Sequence, residues 1–229
     1  MNLERLQRFN PDLTILSVNS AVFNEYGQVL SNIDPTEMLA KLNQHLIPKS
    51  GSTSVIADAD LLDTQMAEQL RLTVFGGQQI QIGYYNGHND HLDALEWHHA
   101  PEVMVATANV CLFLGQRAKL TRNGYAVGAL RTFFVPAGTV IALYGTTMHY
   151  APLQTSEDGY RCMVALPANT KTDLPAKMGN VDPLLHKRGQ WLIAHPDNHA
   201  LIEQGVVAGI MGKNLALNCQ IPATSWVVV

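Results

Sequence analysis

Two short windows concentrate the side chains able to do chemistry. The first, residues 94–102, reads Ala-Leu-Glu-Trp-His-His-Ala-Pro-Glu and sets Glu96 and His98 two positions apart. Side chains alternate between the faces of an extended strand, so Glu96 and His98 share one face while His99 takes the other. Pro101 breaks the strand and Glu102 opens the next, and a hairpin here would bring Glu96, His98 and Glu102 to one side. Imidazole mixed with carboxylate suits one divalent metal ion, Mn, Zn, Ni or Fe, with Mn or Zn preferred. The acids carry a second argument, because burying a carboxylate in an apolar strand without a partner costs several kcal/mol. A bound cation removes that difficulty.

The second window spans residues 133–149. Pro136-x-Gly138 makes a tight turn, Tyr144-Gly145 breaks the following strand, and His149 falls on a returning strand, where it supplies a fourth ligand. Glu96 either binds the ion or accepts a hydrogen bond from a ligand behind it. Either Glu102 or a loop residue not assigned from the sequence serves as the proton carrier. Tyr144 is either a buried aromatic or a hydroxyl donor to substrate. The polar turn Asn86-Gly-His-Asn-Asp-His91 precedes the first window, which makes Tyr84, Asn86 and His91 candidates for touching a substrate. Arg131 is the candidate cation for a carboxylate substrate, with Lys119 and Arg122 in the hairpin before it. Gly76-Gly77 lacks the strand-to-helix context of a phosphate loop. No Ser-His-Asp arrangement is legible.

The elements that must hold these residues are mostly strands. Short β runs are expected at 78–84, 92–98, 103–106, 110–114, 132–135, 139–143 and 162–166, separated by turns such as Asn86-Gly87 and Asn123-Gly124. Close spacing of this kind predicts an antiparallel sandwich or barrel in place of βαβ units. The first seventy residues read as mainly helical. Asp34-Pro35 would open a helix over 35–46 with Met38, Leu39, Leu42 and Leu46 on one face. A second helix is expected at 63–70. After Pro167 the pattern is mixed: a strand at 191–194, a short helix at 198–204 and a strand at 215–220. These flanks are expected to pack outside the β core.

With these motifs in view, the sequence resembles the cupin superfamily. The first cupin motif runs His-x-His, three or four residues, then Glu; here Glu96-x-His98-x3-Glu102 keeps the spacing with Glu96 in the first histidine's place. The second motif is matched at Pro136-x-Gly138, with the histidine delayed to His149. That delay is similar to the ureidoglycolate-lyase branch and to an uncharacterised bacterial cupin-like family of similar length. The resemblance covers about residues 78–170. It implies a mainly β fold, a cupin-type double-stranded β-helix or jelly-roll barrel, as a single domain over 1–229 with flanks at 1–70 and 171–229. It also implies a homodimer and a metal-dependent isomerase, epimerase or lyase acting on a small sugar or sugar acid. A non-catalytic metal- or ligand-binding cupin and an Fe-dependent dioxygenase are the alternatives.

Composition limits the partners. The 229 residues hold 15 Lys and Arg against 19 Asp and Glu, a net charge of −4, so no basic surplus exists to neutralise the phosphates of nucleic acid. Apolar residues make up 47% and charged ones 15%, which predicts a large core and excludes disorder. No apolar run approaches membrane-span length. Cys111, Cys162 and Cys219 lie far apart and form no Cys-x-x-Cys pair, as expected of reduced thiols in a cytoplasmic protein.

Overall fold

The computed structural model describes residues 1–175 and 182–220. The fold is mainly β, in several largely antiparallel sheets, and its layers follow from period-two burial. All five residues of strand Glu102–Ala106 are buried. Val103 and Val105 enter one cluster with Met38, Leu42, Leu61, Met66 and Leu70 from three N-terminal helices. Met104 and Ala106 enter another with Leu112, Leu114, Phe133 and Val135. A strand covered on both faces reads as a continuous apolar run and shows no alternation.

That strand is central to a six-stranded antiparallel sheet ordered Gly27–Val29, Ile141–Leu143, Glu102–Ala106, Tyr160–Pro167, Ile80–Gly87 and Ser52–Val55. Facing it is a five-stranded sheet of Ile15–Ser17, Arg131–Val135, Val110–Gln116 and Thr147–Met148, with Leu153–Gln154 also paired to Val110–Gln116. The outer face of this second sheet, carrying Cys111, Phe113 and Phe134, packs on Leu95, Trp97 and Ile193. Those three belong to a further sheet in which Gln190–Ala194 pairs antiparallel with Ala94–His98. Among the described residues the strands close no barrel.

Several expectations are corrected. The first seventy residues are not mainly helical, since they also contribute strands Ile15–Ser17, Gly27–Val29 and Ser52–Val55. Neither flank merely packs outside: three N-terminal strands and the Gln190–Ala194 strand complete the sheets. The helix expected at 35–46 is Thr36–Leu42; Asp34 accepts hydrogen bonds from Thr36 N and Oγ1, and Leu46 is 86% exposed. Its end tightens where Gln44 N donates to Lys41 O, ahead of Pro48. Helix 63–70 begins after the Thr64 cap and runs Gln65–Thr73. Residues 215–220 form no strand; only an isolated bridge joins Ala216 to His91.

Candidate metal centre

Strands Ala94–His98 and Glu102–Ala106 do not form the expected hairpin. The first pairs with Gln190–Ala194 and the second with Ile141–Leu143 and Tyr160–Pro167, so residues 99–101 carry the chain from one sheet to another. The convergence survives for a different reason. Glu96 and His98 sit opposite to Leu95 and Trp97, whose packing in the neighbouring core fixes the strand's orientation. Glu102 lies on the Met104 face of its own strand. His149 follows Thr147–Met148 and is pinned by a two-way backbone bridge with Glu96, at 2.6 and 2.9 Å.

Glu96, His98, Glu102 and His149 are all buried, and each offers a ligand atom within 4.8 Å of the others. Glu102 is the hub: its Oε2 lies 3.2 Å from His98 Nε2 and its Oε1 3.2 Å from His149 Nε2. His149 Nε2 is also 3.9 Å from Glu96 Oε1. Donor atoms about 2.1 Å from a common ion stand about 3.0–4.2 Å apart, so these separations fit one. The opposite ring nitrogens face backbone carbonyls, His98 Nδ1 at 3.2 Å from Gly189 O and His149 Nδ1 at 3.0 Å from Thr147 O. A carbonyl only accepts, so each Nδ1 carries a proton, and in the neutral rings that a metal requires both Nε2 lone pairs point inward. Those two Nε2 atoms and Glu102 Oε2 are buried with no hydrogen-bond partner. Orphaned buried polar atoms are rare, and a cation among them would satisfy all three.

Lys171 joins this group. Its Nζ donates to Glu96 Oε1 at 2.9 Å and lies 3.7 Å from Glu102 Oε2. Gln190 Nε2 donates to the other Glu96 oxygen. Burial alone would raise both acids, yet Lys171 and His98 hold Glu96 below the ordinary carboxylate range, and His149 and Lys171 hold Glu102 well below it. Burial opposes charge on His149, but Glu102 outweighs it and raises the imidazole.

Of the other sequence candidates, Tyr84 lines a small cavity together with Lys171, and the rest lie elsewhere. Tyr144 is 39% exposed. Tyr84 also lies against His45, the rings tilted by 30° with centroids 4.2 Å apart. Asn86 is fully buried and donates to Leu46 O. His91 is exposed and pairs with Asp90. Arg131 is exposed at its strand's start and lines an open cleft with Asp12, Thr14 and Leu215. Sequence reasoning missed Lys171 and Gln190, which lie 75 and 94 residues from Glu96. No motif marks either. The register of Gln190 opposite His98 becomes visible only once the sheet is formed.

A sequence family described as "Domain of unknown function (DUF4867)" matches residues 15–215. The chain belongs to that family. Its matched span includes all four clustered acids and histidines, Lys171 and Gln190. No curated protein matches the DUF4867 chain. Solved structures of Bacillus subtilis oxalate decarboxylase are similar over 56% of it, at 16% identity. They include one from work on that enzyme's Mn(II) centres, one on its proton-coupled electron transfer and one at pH 4.6, with TM-scores of 0.32, 0.32 and 0.33. The chain spans less than a third of the length of those proteins, and covers 31%, 31% and 30% of them. Scores this low carry no argument about fold or chemistry. No helix among the described residues is long and apolar enough to cross a membrane.

Proposed function

We propose that the chain is a divalent-metal-dependent enzyme on a cupin-type jelly roll, two largely antiparallel sheets face to face. Its chemistry is redox-neutral isomerisation, epimerisation or lysis of a small sugar or sugar acid. The observation that carries this reading is the pair of unpartnered, buried imidazole Nε2 atoms aimed at two carboxylates. When bound, an ion there supplies Lewis-acid polarisation of a carbonyl or hydroxyl oxygen. The chain's own groups do the rest. Gly189 and Thr147 carbonyls set the histidine tautomers, and Lys171 and Gln190 orient Glu96. Glu102, whose Oε1 lies 3.2 Å from His149 Nε2, is the group that holds or moves a proton. Burial keeps bulk water from these groups.

A second reading, a non-catalytic ligand-binding protein, is favoured by Lys171, whose ammonium partly neutralises both acids without an ion. Elemental analysis of the purified protein, followed by thermal shift with Mn, Zn, Ni and Fe, separates the two. A stoichiometric metal and a raised midpoint are expected. No bound metal and no shift with any of the four would refute the enzyme reading and favour the second.

A further inference from the structure

The metal reading does not require Lys171, yet the fold goes to some length to place it. Its backbone is left-handed, φ 64°, a conformation that lysine seldom adopts. The segment is tied on both sides: Lys171 N donates to Arg188 O and Arg188 N to Thr172 O, each at 2.9 Å. Thr170 is buried, with its Oγ1 on Pro167 O and its carbonyl accepting from buried Gln81. These restraints aim the ammonium at Glu96 and Glu102, with the Lys171 side chain only 25% exposed.

Charge balance then separates two states. Without an ion, two carboxylates and Lys171 leave one negative charge. With a divalent ion and neutral imidazoles, the same groups carry one net positive charge, and an ammonium stands beside a cation. An uncompensated buried charge is costly, so the loaded centre calls for an anion. Lys171 also lines a cavity of about 40 Å³ with Gln81, Gly83, Tyr85, Val164 and Leu166. At ~10–15 Å³ per water-sized site, that space takes about three heavy atoms, the size of a carboxylate group.

Resting on the metal reading, we infer that the loaded centre selects small monoanions, α-hydroxy or α-keto carboxylates, over neutral polyols, and that Lys171 receives the carboxylate. Lys171 is thus a specificity residue in contact with substrate, a role the sequence had suggested for Arg131. Calorimetric titration of the metal-loaded protein with lactate, pyruvate and glycerol tests this, with metal content measured on every sample. Lactate or pyruvate should bind at least 10-fold tighter than glycerol. Lys171→Met should keep its metal and lose at least 10-fold in lactate affinity, and Lys171→Arg should recover most of it. Glycerol binding as tightly as lactate overturns the inference in wild type alone, whatever the variants' folding. Lactate affinity unchanged in Lys171→Met overturns it as well. If the wild type takes up no metal, the enzyme reading fails and this inference with it; if metal binds without anion preference, this inference alone fails.

Discussion

Replacing Glu102 with Gln removes the hub of the buried cluster while keeping its shape. The carboxylate faces both Nε2 atoms at 3.2 Å and Lys171 at 3.7 Å, with its side chain 4% exposed. Removing a group that only orients a ligand typically lowers metal affinity 10–100-fold, so loss of a charged ligand should reach 100-fold or more. Metal at 100 times Kd stabilises the wild type by about 2.7 kcal/mol; a 100-fold weaker site at the same concentration retains about 0.4 kcal/mol. For a chain of this size 1 kcal/mol moves Tm by about 2–4 °C, so a wild-type shift of roughly 5–11 °C should shrink to about 1–2 °C. Thermal unfolding with and without metal reads this directly, with exposed Glu68→Gln as the control. A Glu102→Gln protein with the full wild-type shift would refute the assignment, because no ligand set built on Glu102 survives that result.

Glu96→Gln should weaken metal binding and favour softer ions, yet by less than Glu102→Gln, since Lys171 and Gln190 already occupy its oxygens; metal titrations giving the reverse order would contradict the geometry. Gly83→Ala should destabilise by about 1–3 kcal/mol in denaturant unfolding, because a Cβ there would fall on the carbonyl oxygens of Val55 and Ile56 and push the edge strand away. Burial pushes the Cys111 thiol up to about 12 and raises Cys162 further, so neither should react with a disulfide reagent at pH 8 until the protein is unfolded. A homodimer is expected from the exposed strand edges, and a monomeric mass across a light-scattering concentration series would contradict it.

Local pattern sufficed for much of the site. Period-two alternation puts Glu96 and His98 on one strand face whatever that strand pairs with, and polar residues in apolar runs stand out because burial without partners is unfavourable. Most central strands were legible for the same reason, as short apolar runs bounded by Gly, Pro and Asn. Pairing was not, because it is a contest between distant segments. Strand Ala94–His98 has a nearby partner in Glu102–Ala106, yet it joins Gln190–Ala194, where Leu95, Trp97 and Ile193 share one core. The strands of the first seventy residues are three or four residues long and exist by docking on sheet edges, so their own sequence carries little signal. Lys171 is the plainest case. A lone lysine in a loop reads as solvated, and only the ties of Thr170, Lys171 and Arg188, set by packing 75 residues downstream of Glu96, turn its ammonium inward. The candidate ligand types were thus written in the sequence through local geometry, while the cation beside them was decided by long-range contacts that no local pattern encodes.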